Sequence, residues 1–215
     1  VKDKSAWYLE LPRLGPDDDV SGRKVLLFDE QGFGDTIQFI RCLPYLLERG
    51  AEVTVVVPPM LVRLLSQSFP GVCVRDKWSF GREDGYSYAA PIPDLPYISG
   101  VMSVRDIPAA IPYLRADEGD VARFAALLPD RRPRVGLVWA GERRAQSEYE
   151  LADKRRSTTL ADMGAALTPV EATLVHLPFG GPRADIEARH GQELFDPMGD
   201  VLSLIHPCPC RPPTL

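Results

Sequence analysis

The sequence predicts an α/β protein whose strands form parallel sheets. Short apolar strands alternate with amphipathic helices through the first third of the chain, and the same alternation begins again after Pro133. The second strand is an almost continuous β-branched run, as strands buried on both faces usually are. Strands that alternate with helices favour a parallel sheet with right-handed crossovers.

The first unit is predicted from the spacing of its apolar residues. Its strands are expected at residues 24–28, 53–57 and 72–74. Its helices are expected at residues 36–49 and 59–68, because apolar side chains there recur with helical periodicity. Gly50 stands where a glycine commonly ends a helix, and Pro59 suits a first helical turn.

The later part of the chain is less regular. Residues 78–113 are rich in Pro, Gly and Tyr, so only short elements are expected, near residues 87–90 and 95–101. A helix at 116–128 and a linker at 130–133 lead into the second unit. That unit is predicted to contain strands at 134–139 and 172–177, a polar loop at 141–156, and helices at 159–167 and 182–190.

These elements divide the chain into four parts. We expect a lead-in at 1–22, a first α/β domain at 23–130, a partial second domain at 131–202, and an aberrant or disordered tail at 203–215. Four of the last nine residues are proline, which excludes a regular element there. The polar start without Met indicates a piece of a longer chain.

Composition excludes several classes of protein. A net charge of -5 argues against a general nucleic-acid binder, since phosphate backbones need a basic face. No apolar run approaches the ~20 residues that span a bilayer, so no integral membrane segment is expected. The four cysteines show no disulfide spacing, which favours a reducing cytoplasm. Cys42 and Cys73 are predicted to be buried free thiols.

The first candidate site is the loop that follows the first strand. Gly32 and Gly34 let a ligand approach the backbone, and Asp35, Thr36 and Gln38 supply polar groups at a helix start. In open α/β sheets, ligands bind at this edge. A second interpretation stays open, in which Asp35 or Thr36 only caps the helix.

The second candidate site is a basic cluster in the second unit. Lys154, Arg155, Arg156 and Ser157 precede a predicted helix, and Arg143 and Arg144 lie upstream. Arginine and lysine suit the oxygens of a diphosphate. The alternative is a solvated basic loop in which Ser157 or Thr159 caps the helix.

Other chemistries have little support. His176, His190 and His206 lack metal-ligand spacing, and His206 with Cys208 and Cys210 is too crowded for zinc, so no metal is expected. The loop lacks the third glycine of a dinucleotide site, and the second strand runs into two prolines rather than an acidic residue. Trp7 and Trp139 are predicted to be packing residues.

Several stretches resemble one known family. Residues 24–44, KVLLFDEQGFGDTIQFIRCLP, are similar to the opening of the heptosyltransferase-like glycosyltransferases (glycosyltransferase family 9), especially bacterial members that follow tetratricopeptide repeats. The resemblance covers roughly residues 5–200 and resumes at residues 50–55, 107–114, 134–141 and 155–157. It implies a GT-B glycosyltransferase fold, with a Rossmann-like acceptor-side domain and a partial Rossmann-like domain for the nucleotide sugar.

The resemblance also implies roles for the two candidate sites. Asp35 would be the general base of an inverting transfer to an acceptor hydroxyl, with Gly32, Gly34, Thr36 and Gln38 around it. Lys154 to Ser157 would bind the donor diphosphate without a metal or a further cofactor. The acceptor would be a glycan, a lipid-linked molecule or a protein.

Two departures from the family favour an alternative. Residues 176–180, HLPFG, stand where the family carries Ser-Leu-Gln-Lys-Gly, and the family's later nucleotide-binding segment has no counterpart. The resemblance therefore implies an incomplete donor site and impaired activity in this chain. The alternative is a non-catalytic remnant that acts as a binding or interaction domain.

Overall fold

The computed structural model describes residues 7–140, 155, 157–167, 171–177, 194, 195 and 197. The chain forms two compact units, Val1–Asp117 and Glu118–Leu215. Each contains a parallel sheet, so the predicted α/β class is confirmed. The division falls before the boundary that the sequence suggested at residue 130, and it assigns the helix at Glu118–Leu127 to the second unit.

The first unit contains a four-stranded parallel sheet in the order β3-β2-β1-β4. Its strands are β1 (Lys24–Phe28), β2 (Glu52–Val57), β3 (Cys73–Asp76) and β4 (Tyr88–Pro91). The two central strands are buried beyond their first residues, as their continuous apolar runs predict.

The two thiols of this unit differ in exposure. Cys42 is buried as predicted. The prediction for Cys73 is wrong, because this thiol is exposed. Cys73 begins β3, which lies at an edge of the sheet with a neighbouring strand on one side.

The helical stretch after β1 is interrupted. The predicted single helix at 36–49 is instead α1 (Phe33–Phe39), a 3-10 turn (Ile40–Cys42) and α2 (Leu43–Glu48). Pro44 explains the interruption, because it has no N–H for the carbonyl of Ile40 and its ring crowds that carbonyl.

Gly50 ends this helical stretch in the way the sequence predicts. Its φ angle is +81°, in the left-handed region that glycine adopts most easily. Its N–H donates to the carbonyl of Leu47, and the N–H of Ala51 donates to the carbonyl of Leu46. This pair of bonds is the Schellman motif, which satisfies carbonyls at a helix end.

Two further helices complete the first unit, α3 (Pro59–Ser68) and α4 (Leu95–Ile98). The first matches its predicted bounds, whereas only part of the predicted 95–101 stretch is helical. Among the described residues, no helix has both the length and the apolar character needed to cross a membrane.

Alternate residues of β1 serve two separate cores. Val25 and Leu27 belong to the larger core, together with the buried faces of the helices at Ile40, Leu43, Leu46, Leu65, Leu95 and Ile98. Leu26 and Phe28 belong to a smaller core with Trp7, Phe80 and Ala89. The prediction that Trp7 is a packing residue is therefore confirmed.

Four contacts attach the irregular segment at residues 107–117, which precedes the unit division. The hydroxyl of Tyr113 donates to the carbonyl of Ile37 at 2.9 Å, and the Arg41 guanidinium lies 4.6 Å from the centre of the Tyr113 ring. The N–H of Arg115 donates to Ser68 Oγ at 2.9 Å. Arg63 pairs with Asp117 at 3.5 Å.

The second unit repeats part of this topology. After α5 (Glu118–Leu127) come β5 (Arg134–Leu137), α6 (Leu160–Leu167), β6 (Thr173–His176) and β7 (Leu194–Phe195). The strands are parallel in the order β5-β6-β7, which matches β1-β2-β3. Trp139 is buried with Leu137 and Leu160, which confirms its packing role. The predicted helix at 182–190 and tail at 203–215 lie outside the described residues.

Candidate functional site

The first candidate loop lies where the first sheet changes its direction of growth. From β1 the chain adds β2 and then β3 on one side, and it places β4 on the other. In open α/β sheets, such a reversal opens a crevice at the carboxyl ends of the two strands concerned. The residues after Phe28 and the 3-10 turn Ile92–Asp94 occupy these two strand ends.

Asp35 is the third residue of α1 and caps it. Its Oδ2 accepts a hydrogen bond from the N–H of Gly32 at 3.1 Å, which satisfies a donor at the helix start. The capping interpretation is thus realised for Asp35. The side chain is only half-buried, and Oδ1 has no hydrogen-bond partner among the described residues. The capping bond therefore leaves Oδ1 of Asp35 able to accept a hydrogen bond or a proton.

The other residues of this loop differ in exposure. Gly32, Gly34 and Gln38 are exposed. A Cβ built on Gly34 would meet no heavy atom within 4 Å, so the space above this backbone is open. Thr36 is 2% exposed. The resemblance implied that Thr36 would line the acceptor site beside Asp35, but a buried side chain cannot do so.

A partly buried ion pair that the sequence interpretation missed lies at the same sheet edge. Lys77 Nζ is 2.8 Å from Asp29 Oδ2, and the side chain of Asp29 is 5% exposed. The two residues directly follow β3 and β1, and their N–H groups donate to the carbonyls of Val57 and Val56 at the end of β2. The sequence signal that could have revealed this pair is a charged residue directly after each of the two strands.

A second pair lies at the end of β4. Arg13 donates to Asp94 Oδ2 through Nε at 3.0 Å and through Nη2 at 2.6 Å. The hydrogen bond and the charge of Asp94, with a smaller contribution from Glu30, raise the pKa of the Arg13 guanidinium. Glu30 is the second residue after β1. The contact was hidden in the sequence, because Arg13 and Asp94 are 81 positions apart.

Two residues of the basic cluster are described, and one of them, Ser157, lies near the carboxyl end of β5. Arg155 is exposed and Ser157 is half-buried, whereas Lys154, Arg156, Arg143 and Arg144 lie outside the described residues. The N–H of Thr158 donates to the carbonyl of Trp139 at 2.8 Å, two residues beyond the end of β5. Each unit therefore carries its candidate residues after the first strand of its sheet.

Thr159 supplies the cap that the alternative interpretation anticipated. Its Oγ1 accepts from the N–H of Asp162 at 3.1 Å and lies 2.6 Å from Asp162 Oδ2. This is the capping pattern expected at the start of α6. Because Thr159 caps α6, Ser157 is not needed for that purpose.

The described residues contain no group of three or more His, Cys, Asp or Glu side chains arranged for a metal ion. His176 is fully buried, with its ring centre 5.0 Å from that of Trp139. His190, His206, Cys208 and Cys210 lie outside the described residues.

Fold and site together define an α/β chain of two parallel-sheet units, each with polar residues after its first strand. No protein-family model matches the chain, and comparisons with curated proteins and with solved structures give no match either.

Proposed function

We propose that the chain derives from an inverting, metal-independent glycosyltransferase with a GT-B fold, which transfers a sugar from a nucleotide-diphosphate donor to an acceptor hydroxyl. The observation that carries the proposal is the half-exposed carboxylate of Asp35 after the carboxyl end of β1, the strand from which the sheet grows in both directions. The resemblance of residues 24–44 to glycosyltransferase family 9 supports the same activity. Nucleotide sugars are cytoplasmic metabolites, which agrees with the cysteine usage.

In this mechanism, Asp35 takes the proton of the acceptor hydroxyl. The N–H of Gly32 holds Oδ2, and Oδ1 accepts the proton. The acceptor oxygen attacks the anomeric carbon on the face opposite the diphosphate, which inverts that centre. The bond from the anomeric carbon to the diphosphate oxygen breaks, and its electron pair leaves with the diphosphate.

The donor diphosphate would bind in the second unit. Arg155 and Ser157, with Lys154 and Arg156, would supply positive charge and hydrogen bonds to the departing phosphate. The bond from Thr158, which directly follows Ser157, to the carbonyl of Trp139 beyond the end of β5 supports this proposal, because such folds bind ligands at that sheet edge.

The test is turnover with uridine, guanosine and adenosine diphosphate sugars, measured as release of the nucleoside diphosphate. Asp35→Asn should lower turnover by about 100-fold or more, the usual contribution of a general base. The amide oxygen can still accept from Gly32, so the free energy of unfolding should fall by less than ~1 kcal/mol.

Glu52→Gln is the matched control. Glu52 is exposed at the amino end of β2, so this variant removes the same charge from the opposite edge of the sheet. Its turnover should equal that of the unmodified chain. Full turnover in Asp35→Asn would exclude Asp35 as the base.

A binding domain without catalysis is the second candidate. It is favoured by the capping bond from Gly32 to Asp35, which gives the carboxylate a structural role. Calorimetric titration with nucleoside diphosphates separates the two candidates. Saturable binding with no sugar release in any donor assay would support the binding domain.

A further inference from the structure

Exposed apolar side chains follow three neighbouring strands of the first sheet at its carboxyl edge. Phe33 follows β1, Met60 follows β2 and Trp78 follows β3, with exposures of 44%, 58% and 70%. This is the edge that carries Asp35, and ligands of open α/β sheets bind there. Among the described residues, neither Phe33 nor Trp78 forms a contact with another aromatic ring.

The backbone at Trp78 is held in place. Its N–H donates to Asp76 Oδ1 at 2.9 Å, and Ser79 Oγ donates to Asp76 Oδ2 at 3.0 Å. The preceding residue, Lys77, is fixed by its bond to Val57 and its ion pair with Asp29. Because the turn is already fixed, binding of a flat surface to this indole costs side-chain freedom but little backbone freedom.

The charges at this edge disfavour an anionic ligand. Lys77 faces Asp29, Arg13 faces Asp94 and, at 3.4 Å, Arg75 faces Glu83. With these three cations already paired, Glu30 and Asp35 leave the edge with excess negative charge. Carboxylates accept hydrogen bonds from hydroxyl groups. An uncharged ligand with many hydroxyls fits this surface better than a phosphorylated one.

We infer that the acceptor is a neutral glycan that lies along the carboxyl edge of the first sheet. One pyranose presents its hydroxyl to Asp35, and a more distant pyranose places its C–H face on the Trp78 indole. β1 and β3 are two strand spacings apart, about 10 Å, a distance that a short oligosaccharide can span. The role of Asp35 here rests on the proposed function, whereas the contact with Trp78 does not.

Trp78 also provides the readout. Trp7 and Trp139 are buried, so the solvent-sensitive part of the indole fluorescence belongs to Trp78. The probes are cellotetraose, tetra-N-acetylchitotetraose and mannotetraose, with tetragalacturonate as the anionic counterpart. At least one neutral probe should shift the emission to shorter wavelength and protect Trp78 from iodide, and tetragalacturonate should do neither.

Calorimetric titration with a neutral tetrasaccharide that binds tests the contribution of Trp78. Trp78→Ala should weaken binding by about tenfold, and Trp78→Phe should retain most of it, because a ring face remains. Val121→Ala, which truncates an exposed apolar residue of the second unit, should bind normally. All binding is measured without a sugar donor.

The two proposals fail in different ways. Glycan binding that depends on Trp78, without turnover, would support the glycan surface and count against catalysis. Sugar transfer that is unchanged by Trp78→Ala would support catalysis and count against the glycan surface. Absence of binding by every neutral probe, stronger binding of tetragalacturonate, or a fluorescence change caused by self-association would overturn the glycan surface.

Discussion

Lys77 Nζ lies 2.8 Å from the buried Oδ2 of Asp29, and this ion pair joins the ends of β3 and β1 across β2. Asp29 is also the first residue of the loop that leads to Asp35. The pair therefore fixes the start of that loop to a strand two places away in the sheet. A buried carboxylate depends on such a partner, because removal of the partner leaves an uncompensated charge.

Lys77→Met should lower the free energy of unfolding by about 1–3 kcal/mol, since it strips Asp29 of its counter-ion while Lys77 itself is partly exposed. Urea unfolding followed by circular dichroism measures the change. Arg75→Met is the control, because it breaks an exposed pair with Glu83 that should contribute about 0.5 kcal/mol or less. Equal losses in the two variants would contradict a special role for the buried pair.

Gly34→Ala should separate ligand approach from folding. The added methyl meets no heavy atom within 4 Å, and alanine favours the helix, so stability should be unchanged or rise by up to ~1 kcal/mol. If the acceptor approaches this backbone, acceptor-dependent transfer should fall at least severalfold. Hydrolysis of the donor without acceptor, measured on the same variant, is the control and should not change. Undiminished transfer would place the acceptor elsewhere.

Asp106 should contribute a pH dependence to stability. Its carboxylate accepts from the Ser103 hydroxyl, the largest effect, and from the N–H groups of Met102 and Ser103, and these bonds lower its pKa. A carboxylate whose pKa is lowered by folding stabilises the fold above the unfolded-state pKa of about 3.9. That stability is lost as the pH falls from there through the folded-state pKa.

The carbon-13 shift of the Asp106 carboxyl, followed from pH 6 to pH 2, measures this pKa. Ser103→Ala should move the pKa back towards the ordinary aspartate value, because it removes the hydroxyl donor. An unchanged titration in that variant would show that the backbone N–H groups alone set the pKa.

The elements set by local signals were predictable. β1 and α3 have their predicted bounds, and Gly50 ends its helix, since apolar spacing and glycine geometry depend on adjacent residues. The effect of Pro44 was visible in the sequence as well, but the periodicity on both sides concealed the turn at Ile40–Cys42. The exposure of Cys73 depends on the order of strands in the sheet, which periodicity alone does not specify.

The candidate site was predictable only in part. The Asp35 loop lies at the predicted sheet edge, because a loop between a parallel strand and its helix must lie there. The pairs that surround it, Lys77 with Asp29 and Arg13 with Asp94, join residues far apart in the chain. The burial of Thr36 depends on how α1 is rotated against the core, which a seven-residue helix does not reveal through its sequence.

The Tyr113 hydroxyl donates to the carbonyl of Ile37 in the last turn of α1, where helix carbonyls commonly need donors from outside the helix. This bond, like the contacts of Arg115 and Asp117, lies on the N-terminal side of the unit division. A chain shortened after Asp117 would keep these contacts. A chain shortened after Gly100 would lose them, because it lacks Tyr113, Arg115 and Asp117. The irregular segment is therefore part of the first unit's structure, although residues 107–117 contain neither helix nor strand.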